Sequence, residues 1–286
     1  MNFKTINSKP YFSLILCTLN RNEYVLNFLK SISSSSFKNF EIILVDQNKS
    51  NKLKNLISIF ENLNIKYLRS DKGLSLGRNK ALNEVSGQVV CFPDDDCEYP
   101  NDVLQNIYNI FSKKKYDLIS VQSRWKDNKI SNGNFDKKSG VINKYNIWGK
   151  VISYTIFVRS ECIKNIFFDE KLGVGSKTIF QSGEESDFVL QVIKNKNIKC
   201  YYFADLFIYH PHLSKDFVDV KNRITNYAPG KIYVLRKNNY ALLYQAAFIL
   251  NPLFKSIIYL IFFNKNYYLQ YLTFQKRLEG FRKYTI

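Results

Sequence analysis

The chain has 286 residues, 45% of them hydrophobic, which is enough to bury the core of one large α/β domain or of a domain with an appendage. Its five cysteines include no CxxC pair, which argues against a zinc site or a disulfide scaffold and for buried thiols in a reducing cytosol. The net charge of +18 is concentrated at one end: from Lys221 to Ile286 eleven Lys or Arg face one acid, Glu279, interleaved with aromatic and aliphatic residues, a pattern that suits an anionic membrane, nucleic acid or plain solvation.

Met1 to Pro10 lacks the apolar core of a signal peptide, so secretion is not expected. Tyr11 to Cys17 reads as a first strand, and Thr18 to Asn22 turns from it into a helix with Val25, Phe28, Leu29 and Ile32 at helical spacing. Phe40 to Asp46 repeats the unit, followed by a helix with Leu53, Leu56, Ile57 and Phe60 on one face. Asn64 to Leu68 is a third strand, and Asp71 to Asn79 a glycine-punctuated turn into a third helix. Strands alternating with helices at these intervals predict an α/β fold with a mostly parallel central sheet. There is no GxGxxG after the first strand and no GxxxxGK[ST], so dinucleotide and P-loop readings lack their phosphate cradles.

The fourth strand, Val89 to Phe92, runs into Asp94, Asp95 and Asp96. Carboxylates crowded at the C-terminal edge of a parallel strand make sense when a hard divalent cation offsets their repulsion, with basic groups such as Arg78 near any phosphate. Pro100 starts a helix with Val103, Leu104, Ile107 and Phe111 as its stripe, and Tyr116 to Val121 continues the sheet. Gln122 to Trp148 is polar and reads as a long excursion able to cover a substrate. After strand-like Val151 to Val158, Ser182 and Glu185 have capping-box spacing, but Glu184 and Asp187 exceed what a cap needs. Following a further strand at Ile198 to Phe203, an apolar run ends in His210 and His212, candidates for a metal or phosphate contact. Asn238 to Phe263 is very apolar yet interrupted by Gln245, Asn251, Pro252 and Lys255. The expectation is two helices, with Phe254, Ile257, Ile258, Ile261 and Phe262 on the greasy side, packed on the domain or lying in a membrane interface.

Five segments together resemble the family 2 glycosyltransferases of GT-A fold: Thr18 to Arg21, Val45-Asp46, Gly73 to Asn79, Phe92 to Asp96, and Gly183-Glu-Glu-Ser-Asp187. The resemblance covers Tyr11 to His212. It implies a Rossmann-like GT-A domain over 1–212 and leaves 213–286 as a basic, apolar, helical, membrane-associating region. It further implies that Thr18, Asn20, Arg21, Asp46, Gly73, Arg78, Asp94 and Asp95 belong to the donor-binding set. Asp94 and Asp96 resemble the DxD pair that meets Mn²⁺ or Mg²⁺, joined by His210 or His212. Glu185 stands where the family places its catalytic base, with Glu184 as competitor and Asp187 beside them.

Such an enzyme inverts the anomeric carbon in one displacement: the cation serves the leaving diphosphate and a carboxylate takes the acceptor proton. The resemblance implies a nucleotide-diphosphate sugar, UDP-linked, and as acceptor a bacterial surface glycan or its lipid-linked precursor, with the protein peripheral on the inner face of the cytoplasmic membrane. The competing reading of clustered carboxylates and basic charge is a metal-dependent nucleic-acid-binding protein or nuclease.

Overall fold

Phe12–Thr18 (β1), Phe40–Asp46 (β2) and Val89–Cys91 (β4) are buried along their whole length. Apolar runs without alternation suit strands covered on both faces, as in a parallel sheet. In the computed structural model, which describes residues 9–284, β1 pairs in parallel with β2 and with β4, and β2 with Ile65–Arg69 (β3). Leu118–Arg124 (β5), Gly140–Val141 (β6), Ile156–Arg159 (β7) and Cys200–Tyr209 (β8) complete an eight-stranded sheet among the described residues, in the order β3-β2-β1-β4-β7-β5-β8-β6. β7 is antiparallel to both β4 and β5, and β6 to β8; β5 and β8 are parallel. The expectation of no leader rests on Met1 to Pro10, of which residues 1–8 lie outside the described residues.

Asn22–Ser33 (α1) buries Val25, Phe28, Leu29 and Ile32, and Val103–Ser112 (α4) buries Val103, Leu104, Ile107 and Phe111, the stripes expected from spacing. Each such side chain contributes about 1.5–3 kcal/mol of burial. Lys52–Ile57 (α2) is shorter than its pattern, leaving Phe60 beyond its end. Leu74–Leu82 (α3) and Glu184–Ile193 (α5) follow the two glycine turns. One buried acid ties three parts of the sheet. Glu41 on β2 accepts from Ser13 Oγ of β1 (2.6 Å) and from the Ser86 N–H and Oγ before β4 (2.8 and 2.7 Å), with Lys66 of β3 at 3.3 Å. Burial alone would raise its carboxyl, but these donors and Lys66 hold it below the usual range.

Two segments differ from expectation. Gln122 to Trp148 is not wholly an excursion: β5 continues through Gln122, Ser123 and Arg124 because β8 offers partners that far, and Phe135, Ile142 and Ile147 are buried. The two apolar runs near 200 form one strand, β8, whose register against β5 jumps between Val121 and Gln122 so that residues 204–206 bulge.

The described contacts fall into two compact units. One takes the chain up to Asp71, Gly77–Phe167 and Val192–His212; the other takes Lys72–Leu76, Phe168–Gln191 and the chain from Leu213 onward. The expected 1–212 segment is thus divided. The second unit contains Phe217–Lys237 (α6), Leu242–Ile261 (α7) and Tyr267–Arg282 (α8). A break at Pro252 does not occur; α7 is continuous. Proline there cannot give the N–H that the Phe248 carbonyl would accept one turn earlier. Arg277 of α8 gives one instead, its Nη1 2.5 Å from that oxygen and its guanidinium 3.8 Å from the Phe248 ring centroid.

Among the described residues the five cysteines are free; Cys17, Cys91, Cys97 and Cys200 are buried and Cys162 is half-buried. Burial pushes the thiols of Cys17 and Cys200 up to about 12 and that of Cys162 up to about 11.

Candidate active site

Because β1, β2 and β4 are parallel, their C-terminal ends open on one edge, and Thr18 lies in register with Asp46 there. The aspartates after β4 divide their roles by direction. Asp95 turns inward: Thr18 Oγ1 donates to it at 2.7 Å and Arg21 Nη1 lies 2.8 Å away. Burial pushes Asp95 up to about 7, helped by the neighbouring carboxylates and opposed by Arg21 and Thr18. Asp96 receives Arg21 Nη2 on one oxygen at 2.6 Å. Asp94 receives the buried Arg78 at 3.1 Å, with Ser153 Oγ at 3.5 Å.

β8 brings the histidine. Glu98, just past the aspartates, exchanges backbone hydrogen bonds with Tyr209 (2.9 and 3.0 Å), which delivers His210 to Asp96. The His210 Nδ1–H donates to the Pro211 carbonyl at 2.7 Å, which turns Nε2 toward the aspartates, 3.4 Å from Asp96 Oδ1. Tyr154 stacks on the imidazole, centroids 4.7 Å apart and planes at 11°, and its hydroxyl is fixed by Ser123 Oγ at 2.8 Å. The ligand atoms of Asp94, Asp96 and His210 lie within 4.8 Å of one another. Asp96 Oδ1 is buried and accepts no hydrogen bond. An orphaned carboxylate oxygen beside a second carboxylate and an imidazole nitrogen fits Mn²⁺ or Mg²⁺.

In the second unit, Gly183 at φ 92 precedes α5. The Ser182 hydroxyl, expected to cap the helix, donates to the Tyr227 carbonyl at 2.8 Å and so ties the turn to α6. α6 comes so close that a Cβ on Gly230 would lie 2.2 Å from the Ser182 carbonyl oxygen, so a glycine is needed there. Of the acids, Glu184 is buried against Gly173, where a Cβ would lie 3.1 Å from its carboxyl carbon. Glu185 keeps accessible surface, with Ser186 Oγ 3.4 Å from one oxygen. Asp187 is corrected: it is fully buried, held by Lys237 Nζ and Asn238 Nδ2 at 2.8 Å each, and Lys237 also reaches Asp169 at 2.7 Å. Its oxygens join α5 to the end of α6.

Other expected residues are placed as follows. Asp46 sits at the predicted strand end, yet it is fully buried and bonded to Tyr67 (2.5 Å), Arg69 (3.3 Å) and the Asn48 N–H (2.8 Å), so its reach toward a ligand runs through those neighbours. Asn20 is exposed at φ 58, its N–H given to Asn48 Oδ1 at 2.5 Å. Gly73 belongs to the second unit, where its φ of 142 sets the turn in which Leu74 pairs with Val174. His212 is corrected as a metal ligand: its Nε2 faces Asp127 at 3.1 and 3.2 Å and it stands outside the Asp94, Asp96 and His210 group. Tyr154, Lys237 and Asn238 escaped the sequence reading, since no local spacing announces a ring stack or an ion pair made between distant elements.

The profile described as Glycosyl transferase family 2 matches residues 13–181. The chain is 25% identical over 182 residues to the amylovoran biosynthesis glycosyltransferase AmsB of Erwinia amylovora, covering 56% of this chain and 59% of that protein. To the poly(ribitol-phosphate) beta-N-acetylglucosaminyltransferase TarS of Staphylococcus aureus it is 23% identical over 211 residues, 68% of this chain and 35% of that one. These matches span less than two thirds of either relative. In structure it resembles residues 1–349 of S. aureus TarS in complex with UDP-GlcNAc (TM-score 0.59, 18% identity, 95% of this chain and 89% of that fragment). It also resembles the mannosyltransferase PcManGT of Pyrobaculum calidifontis in complex with GDP-Man and Mn²⁺ (TM-score 0.66, 13% identity, 95% and 88%). At such identities the likeness is one of fold, and it is the GT-A fold expected from the sequence. Because the matched profile takes in more than half of the chain, from β1 past the aspartates that follow β4 to the segment just before α5, the chain belongs to glycosyl transferase family 2.

Proposed function

We propose that the chain is an inverting glycosyltransferase moving a sugar from a nucleotide diphosphate, UDP first among them, to a hydroxyl of a bacterial surface glycan or its lipid-linked precursor. One observation carries the reading: Asp94, Asp96 and His210 converge within 4.8 Å, with Asp96 Oδ1 buried and accepting no hydrogen bond. Asp94, Asp96 and the Nε2 of His210 would hold Mn²⁺ or Mg²⁺, which when bound offsets the charge developing on the leaving diphosphate. The PcManGT complex with Mn²⁺ supports that choice, and the TarS complex supports a UDP-sugar. The polymer names of AmsB and TarS support a surface glycan.

The protein's own groups have separate tasks. Arg21 and Arg78 bring positive charge to the aspartate edge, and Thr18 holds Asp95 away from it. Tyr154 and the Pro211 carbonyl fix the imidazole plane and tautomer. Glu185, the accessible acid of its motif, takes the acceptor proton as the new glycosidic bond forms and the bond to phosphate breaks, so the anomeric centre inverts. The enzyme works from the inner face of the cytoplasmic membrane.

A thermal-shift panel of UDP, GDP, CDP and ADP, each with and without Mn²⁺, tests the reading, since a ligand of the native state raises its melting temperature. The expected result is a metal-dependent shift with one nucleotide that Asp96→Ala abolishes. No shift with any nucleotide, together with tight salt-dependent nucleic-acid binding, overturns it in favour of the nuclease reading.

A further inference from the structure

α7 is packed opposite to the usual sense of a helix in water. Its buried positions are Gln245, Ile249, Pro252 and Ser256. The polar ones are satisfied inside the unit, Gln245 Nε2 donating to the Tyr240 carbonyl (2.7 Å) and Ser256 Oγ to the Tyr267 carbonyl (2.8 Å). The outward positions are Leu243, 85% exposed, then Leu250, Phe254, Ile257, Ile258 and Ile261, which recur at helical spacing. A surface helix normally turns its polar residues out, so this inversion asks for an apolar covering.

The turn after α7 continues the face. Phe262 is 76% and Phe263 97% exposed, and Phe263 is held at φ 52, a conformation uncommon for a bulky side chain. Tyr267, Tyr268 and Tyr271 follow at the start of α8, all exposed, and tyrosines are residues that settle at the headgroup level of a bilayer. Lysines border the face. Lys255 and Lys265 are exposed, and Lys221 Nζ lies 5.9 Å from the Tyr268 ring centroid.

We propose that the outward face of α7 and the Phe262–Phe263 turn form a docking surface for an anionic lipid bilayer, with α7 lying in the interface plane. Charge selects this occupant over a second copy of the chain. The exposed Lys255 and Lys265 beside the face, within a segment strongly basic from Lys221 onward, would repel an identical surface and are drawn to acidic headgroups. α7 is long and apolar enough to cross a membrane. Its Gln245, Ser256 and Arg277-bonded side, however, is tied to polar neighbours in the same unit, which holds it on the surface. The docking rests on the unit's own surface and is separable from sugar transfer.

Co-sedimentation of the full chain with phosphatidylcholine vesicles, with and without phosphatidylglycerol, tests this. Wild type pellets with the anionic vesicles, high salt weakens it, and alkaline washing releases it. The doubly substituted Phe262→Ser, Phe263→Ser protein partitions more than about tenfold more weakly. Both side chains are exposed, so its melting temperature and its nucleotide-dependent shift stay at wild-type values. Lys255→Glu with Lys265→Glu lowers binding to anionic vesicles alone. A wild-type protein that stays in the supernatant, a serine variant that binds as well as wild type, resistance to alkaline release, or a soluble dimer that the serine variant dissolves would each overturn the proposal. Failure of the nucleotide shift with docking intact counts only against the transferase reading.

Discussion

A carboxylate can accept a proton only where a hydroxyl can reach it, and of Glu184, Glu185 and Asp187 only Glu185 is not buried. Glu185→Gln is therefore expected to lower kcat by about a hundredfold to ten-thousandfold, while the nucleotide-dependent thermal shift remains. Glu184→Gln, altering a buried group against Gly173, should lower the melting temperature more than the rate. Steady-state kinetics beside melting curves decide, and a reversed pattern would move the base to Glu184. At this scale the motifs of the sequence located the acids but not their division of labour. Nothing in three successive aspartates says that Asp95 faces Thr18 while Asp94 and Asp96 face His210. Nor does an i, i+2 histidine pair say which member meets the aspartates; the exchange between Glu98 and Tyr209 decides that.

At the scale of elements, local periodicity sufficed wherever one face of a helix meets the sheet, as in α1 and α4. It failed where the partner comes from far away in sequence. Pro252 reads as a break because proline has no N–H to give back along the helix, and the Phe248 carbonyl one turn earlier accepts from Arg277 on another helix. Burial lowers that guanidinium to about 10, so it stays charged at neutral pH. Arg277→Ala should remove the hydrogen bond to the Phe248 carbonyl and the cation stacked on its ring, costing about 2–3 kcal/mol by urea denaturation. Arg277→Lys should restore only part, since ammonium cannot stack and donate in one geometry. An unchanged midpoint in Arg277→Ala would mean that α7 tolerates Pro252 without help. The bulge at residues 204–206 was hidden for a related reason: only β5 reveals that two apolar runs are one strand.

Across the whole molecule, the parallel β-α order was legible, whereas β7 entering between β4 and β5 was not, because an antiparallel insertion leaves no mark on the hydrophobic pattern. The sheet carries a pH dependence through Glu41. Its carboxyl lies lower in the folded state than in the unfolded chain, so its stabilisation is complete above the unfolded pKa, roughly 4.3, and is lost as pH falls through the folded value. Glu41→Gln should cost about 2 kcal/mol at pH 7, and the gap to wild type should narrow below roughly pH 4. A gap that stays constant in acid would show that Glu41 is not ionised in the fold. The free thiols have a further consequence. With Cys17, Cys91, Cys97 and Cys200 sealed in the core and only Cys162 half-exposed, the native chain should resist thiol reagents except at one position. On a Cys162→Ser background, every labelled molecule has therefore opened its interior, and the labelling rate becomes a clock for breathing of the sheet, needing no introduced probe.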